Sequence, residues 1–234
     1  MRLKGVVTTA LIVSSMTILL GAAGPRCCHV VPPNAVICGK SLTEWTEDYW
    51  RWSLTEGGQV PYQPGPGPMA FMPIPEGEWL GGSWTPEDPG YLQGTLEVTL
   101  EPGTPFVLPQ FALISELKAD GSHDAVFPDD VIREVISDVS YTLDGKPIAE
   151  DLWDYYVGPK EFDPPVLYDD PSGDYVGAWA FQGNSFVWLP LSPGTHEIKL
   201  YEKMVVWPDQ APEGWGSFGV IYDNTWIVHV VCPK

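Results

Sequence analysis

Proline and glycine set the first limit on this chain: 25 of one and 24 of the other fall within 234 residues. Proline removes a backbone donor and glycine weakens helix and strand interiors, so long helical bundles and coiled coils are excluded. Hydrophobic residues at 44% rule out wholesale disorder. What is left is a fold with many turns between short apolar runs. The expected class is mainly β: a single antiparallel β-sandwich, immunoglobulin-like or jelly-roll, with a short Trp-rich N-terminal helix and one further short helix.

The first residues point to export. Arg2 and Lys4 precede an apolar stretch from Gly5 to Leu20, and Gly21 to Gly24 are all small, which is the pattern of a secretory signal peptide cut after Ala23. The apolar run is short for a membrane span, so no stable span is expected after cleavage, and the destination is secreted, periplasmic or cell-surface. The predicted organisation is a signal peptide at 1–23, a cysteine-containing segment at 24–40 and one β domain at 41–234. Cleavage removes Arg2 and Lys4 and no acid, so the formal charge moves from −19 to −21. A nucleic-acid partner is excluded, because binding phosphates needs a basic footprint that 12 scattered cations cannot supply.

Cys27, Cys28, Cys38 and Cys232 all follow the predicted cut, and export makes disulfides the expectation. Three connectivities exist. A bond between adjacent Cys27 and Cys28 needs a strained ring, which favours one of that pair with Cys38 and the other with Cys232. The spacing matches no zinc pattern.

Residues 41–54 give the clearest helix. Ser41 and Glu44 form a capping box, and Leu42, Trp45, Tyr49 and Trp52 recur at helical spacing, with Trp50 off that stripe. From Gly57 to Pro89 the chain is rich in Gly and Pro and is expected as an irregular surface loop carrying Trp79 and Trp84. Strands are predicted at Thr95–Glu101 and Phe106–Leu117, then a short helix at Asp129–Ser137 capped by Asp129 or Asp130. A hairpin turns at Asp144-Gly145, and a second tight turn is expected at Gly183-Asn184 between strands Tyr175–Phe181 and Ser185–Leu191. Thr195–Lys203 alternates as a strand, and a last strand from Ser217 to Val231 is expected to break at Asp223-Asn224.

Four segments together resemble a family of secreted bacterial proteins with no established activity: G-K-S-L-T-E-W-T-E-D-Y-W-R-W at 39–52, G-T-P-F-V-L-P at 103–109, V-S-Y-T-L-D-G-K-P-I at 139–148 and L-S-P-G-T-H-E-I at 191–198. The resemblance implies an exported β-sandwich with a leading Trp-rich helix, and no reaction. The stretches 57–78 and 161–174 fall outside the pattern.

Chemistry has three candidate locations. Asp169, Asp170 and Asp174 lie in an acidic, proline-rich segment expected to be a loop, and could offer oxygen ligands to calcium, although the spacing is not that of an EF-hand. Trp79 and Trp84, with Trp215 as a third, are the candidate stacking surface for a glycan, because rings cover the apolar faces of sugars while nearby polar groups bond the hydroxyls. Paired carboxylates would be needed for a polysaccharide hydrolase or lyase, and no pair stands out among 31 acids. His123, His196 and His229 are isolated, and no nucleophile motif is present. The expected function is therefore a non-catalytic secreted binder of an extracellular glycan. The alternatives are a polysaccharide-active enzyme and a structural component of the cell envelope.

Overall fold

The computed structural model describes residues 29–57 and 69–231. The signal peptide, Cys27, Cys28, Cys232 and the stretch 58–68 lie outside the described residues, and with them the predicted disulfide pairings; Cys38 itself is exposed.

Helix α1 spans Leu42–Trp52 and is followed by one wider turn to Gly57. Its start is the predicted capping box: the Glu44 amide donates to Ser41 Oγ, and the Ser41 amide donates to the Glu44 carboxylate. The strands follow as β1 Ala70–Phe71, β2 Glu78–Gly81, β3 Gly90–Leu100 and β4 Phe106–Lys118. Helix α2, Asp129–Val135, leads directly into β5 Ile136–Leu143, and then β6 Lys146–Pro147. The remaining strands are β7 Tyr156–Ser172, β8 Tyr175–Trp188, β9 Gly194–Val206 and β10 Phe218–Val230. The described chain is thus mainly β, with two α-helices and two sheets ordered β1-β4-β8-β7 and β2-β3-β10-β9-β5-β6. No helix among the described residues is long and apolar enough to cross a membrane.

The sheets depart from the expected purely antiparallel arrangement. β3 and β10 run parallel in unbroken register from Gly90–Val220 to Leu100–Val230, and β1 runs parallel to β4. A parallel pair needs a long connection, and here the chain between β3 and β10 is most of the fold.

Several boundaries differ from the sequence expectation for local reasons. Gly183 and Asn184 make no turn, because β8 is continuous from Tyr175 to Trp188. Gly183 is required by close strand approach instead: a Cβ there would lie 2.1 Å from the Phe111 carbonyl oxygen. β10 likewise continues through Asp223 and Asn224. Asp223 points outward and accepts hydrogen bonds from the Tyr91 hydroxyl at 2.8 Å and Gln93 Nε2 at 2.9 Å, while Asn224 is buried. The acidic segment 161–174 is not a loop: up to Ser172 it belongs to β7, at the sheet edge, where proline and charge are tolerated because one side of the ladder needs no partner. The Gly/Pro stretch likewise holds β1 and β2 as short strands, β2 at an edge. α2 ends at Val135, and neither Asp129 nor Asp130 caps it; Pro128 holds the cap position with no side-chain bond.

The main core is aromatic. Phe106 stacks on Trp188 with centroids 5.4 Å apart, and Trp226 donates Nε1 to the Pro73 carbonyl at 2.8 Å. Each such buried side chain contributes roughly 1.5–3 kcal/mol. α1 joins this core through Tyr49, whose hydroxyl donates to the Met72 carbonyl and whose ring meets Phe71 at 5.8 Å. Trp50, off the predicted stripe, is buried, whereas Trp52, on it, is only half-buried. A second apolar cluster gathers Phe111, Leu113, Phe127, Ile132, Met204 and Val220 between β4, α2, β9 and β10.

Candidate ligand-binding site

Between the second cluster and α1 lies a cavity of about 390 Å³. Trp50, Phe111, Leu113, Met204, Trp215, Phe218, Val220 and Tyr222 give it a largely aromatic wall, and Gln110 and Asn224 are its two amides. Val220, Tyr222 and Asn224 are alternate residues of β10, so one sheet face supplies one side; the run Gln110–Ile114 of β4 supplies the other. Ile74, Trp215 and Phe218 are partly exposed and carry the cavity to the surface.

A buried polar string runs back from Gln110, its one member in the cavity wall. Glu202 of β9 lies two residues before Met204 and directly across from Tyr222, and it has no solvent exposure. Gln110 Nε2 donates to Glu202 Oε2 at 2.7 Å, and Asn184 Nδ2 donates to Gln110 Oε1 at 3.4 Å and to the Leu152 carbonyl at 2.9 Å. Glu202 Oε1 and Asn184 Oδ1 are buried without a hydrogen-bond partner. Burial pushes the Glu202 carboxyl up to about 7, against the opposing pull of the Gln110 bond. Burial raises Tyr222 and the Glu202 charge raises it further, while at Tyr141 burial is followed by Tyr49 and then Glu202; the Tyr141 hydroxyl is also unpartnered. Neither Glu202 nor Gln110 stood out in the sequence. Glutamate alternating with Leu200 and Met204 on the apolar side of a strand was the available signal, since a charge on that face is unusual.

Trp79 and Trp84 lie on the edge next to this cavity. Trp79 in β2 faces Leu92, and the Trp84 ring covers Gly90, where a Cβ would come within 2.6 Å of it. Gly90 and Leu92 pair with Val220 and Tyr222, so both tryptophans sit on the cavity-facing side of the sheet, one same-face step of about 7 Å apart along β3. They are 57% and 43% exposed. Trp84 has φ +61, a left-handed conformation that a bulky residue adopts only when its surroundings hold it. Its carbonyl accepts from the Gly219 amide at 3.1 Å, and the loop behind it is closed by Ser83 Oγ donating to Asp88 Oδ2 at 2.6 Å.

The other predicted residues are placed elsewhere. Trp215 is half-buried, donates Nε1 to the Ala125 carbonyl at 2.7 Å and packs edge-on to Phe127, so it serves the cavity wall rather than the exposed platform. Asp169, Asp170 and Asp174 are exposed around the β7–β8 turn, and no three His, Cys, Asp or Glu side chains among the described residues converge as a metal-holding group. His123 instead lies against the Trp179 ring at 4.0 Å, and His229 contacts Thr195.

Two arrangements bear on catalysis. His196 Nδ1 is 2.9 Å from Asp144 Oδ2, while Nε2 is 3.3 Å from Ser192 Oγ and 2.9 Å from the Ser192 carbonyl. A carbonyl only accepts, so Nε2 carries its proton towards the Ser192 carbonyl and has no lone pair for the hydroxyl. Burial opposes the imidazolium, yet the bonds to Asp144 and Ser192 prevail and hold His196 above its ordinary pKa. Glu116 is the second carboxyl raised, by burial and by nearby Asp124 against the lowering effect of Tyr168. Tyr168 donates to Glu116 at 2.6 Å and Lys118 pairs with Asp124 at 3.3 Å, so both carboxylates already have structural partners.

Comparison with protein-family models, with curated proteins and with solved structures returned no match.

Proposed function

We propose that this is an exported, non-catalytic protein, a β-sandwich of immunoglobulin-like or jelly-roll type, that binds an extracellular glycan on Trp79 and Trp84. The observation that carries the reading is the exposure of two large rings on one sheet edge, one of them fixed in a left-handed conformation over a glycine. Large apolar rings exposed side by side are a feature of interaction surfaces, and these two supply a stacking surface that needs little ordering on binding. Outward-facing Gln93, Tyr91 and Asp223, and Glu78 paired with Gln93, lie on the face of the sheet opposite the two rings, and exposed Glu76 just before β2 is the nearby carboxylate outside that set.

The test is a panel of soluble polysaccharides of differing charge and linkage, run with and without calcium, in which retardation of the protein during electrophoresis reports binding and reducing-end release reports cleavage. Retardation without product supports the reading. Product release assigns the protein to the hydrolase or lyase alternative. No retardation with any polysaccharide, and no product, leaves the envelope-structural alternative and ends the glycan reading.

A further inference from the structure

We infer that the inter-sheet cavity is a second binding site, separate from the tryptophan edge, and that it takes a small molecule with an apolar body of about two fused rings and a hydroxyl head directed to the Gln110–Glu202 end.

Size fixes the body. An apolar cavity of about 150 Å³ holds a benzene, and ligand pockets run from about 300 to 1,000 Å³. At about 390 Å³ this one exceeds a single ring and is too small for an extended chain of sugars. Its wall fixes the polarity. Trp50, Phe111, Trp215, Phe218 and Tyr222 present ring faces and edges, and none of the residues lining it carries a charge.

The polar end fixes the head. Gln110 Nε2 gives one of its two protons to Glu202, and its Oε1 is held only by the long 3.4 Å contact from Asn184, which leaves that oxygen as the acceptor open to a ligand. Behind Gln110, outside the lining of the cavity, Glu202 Oε1 and Asn184 Oδ1 are two more buried acceptors with no donor. Such atoms cost free energy until something pairs with them. A carboxylate brings only acceptors to this end and meets repulsion. A hydrocarbon brings nothing. A hydroxyl supplies the donor that Gln110 Oε1 can accept. A site built around a hydroxyl rejects the analogue that lacks it, because the polar groups are then left unpaired.

Isothermal titration of the full chain with 2-naphthol, naphthalene and 2-naphthoate tests this. The expected result is one saturable site for 2-naphthol, with naphthalene and 2-naphthoate each at least about tenfold weaker, the value of one net hydrogen bond. Ile114→Trp, which puts bulk into the cavity from its partly exposed wall, should abolish 2-naphthol binding, while Trp79→Ala should leave it unchanged. Gln110→Met keeps the shape and should erase the preference for 2-naphthol over naphthalene; if it does not fold, the Ile114 variant decides alone. The inference is overturned if 2-naphthol fails to saturate, if 2-naphthoate binds as well as 2-naphthol, or if Ile114→Trp leaves binding intact. Because the glycan reading rests on Trp79 and Trp84, either proposal can fail without the other.

Discussion

Replacing Glu202 by glutamine isolates the energetic cost of the buried carboxyl. In the unfolded chain this group titrates near its ordinary value of 4.5, and in the fold burial lifts it to about 7. A raised carboxyl stabilises the fold fully below the unfolded value, and that contribution is lost as pH rises towards the folded one, because only the unfolded chain can then release the proton freely. The difference of about 2.5 units corresponds to roughly 3 kcal/mol, lost mainly between about pH 4.5 and 7 and level above that. Glutamine keeps the shape and the acceptor for Gln110 Nε2 but has no proton to lose. Urea unfolding followed by tryptophan fluorescence at pH 4 to 8, for wild type and Glu202→Gln in parallel, cancels every other titrating group in the difference. The variant should gain about 3 kcal/mol relative to wild type between pH 4 and 8. A difference flat to within about 0.5 kcal/mol across that range would mean that Glu202 is not held in a dry site, and the account of the cavity's polar end would fail with it.

Other changes address the fold and the edge. Gly183→Ala should destabilise by at least about 2 kcal/mol in the same unfolding assay, since its Cβ would meet backbone at 2.1 Å. Ser41→Ala should cost about 1 kcal/mol through loss of the α1 cap. The His196 imidazole, followed by NMR titration, should show a pKa above the ordinary value that falls in Asp144→Asn; its stabilising contribution is present below about 6.5 and is lost as pH rises through the folded value. Gly90→Ala should push the Trp84 ring off the sheet, red-shifting tryptophan emission and weakening glycan retention while the melting temperature changes little.

Local signals were legible wherever a residue acts on its chain neighbours. Ser41 and Glu44 announced α1, the alternation of Leu96, Val98 and Leu100 announced β3, and Asp144-Gly145, both with positive φ, announced the β5–β6 turn. The failures share a cause: the deciding partner is far away in sequence. Gly183 and Asn184 read as a turn, yet Phe111 needs the glycine and Gln110 engages the asparagine. Asp223 reads as a break, yet Tyr91 and Gln93 hold it on the outer face of an unbroken strand. The acids of 161–172 read as loop because their strand lies at an edge, and edge position is a property of the sheet. The same holds for the candidate site. Trp79 and Trp84 could be picked out by their glycine-rich setting, but their common face follows only from pairing β2 with β3. Glu202, Gln110 and Asn184 come from three strands of two sheets, and no spacing in the sequence links them.

If Trp79 and Trp84 form one glycan platform, affinity electrophoresis of wild type, Trp79→Ala, Trp84→Ala and the double variant through gels holding the best polysaccharide of the panel will resolve the contribution of each ring. Each single change should weaken retention at least fivefold and the double change should remove it, with the melting temperature preserved in Trp79→Ala, whose ring is 57% exposed, and lowered modestly in Trp84→Ala, whose 43% exposed ring also covers Gly90. Retention of the double variant equal to that of wild type would contradict the platform.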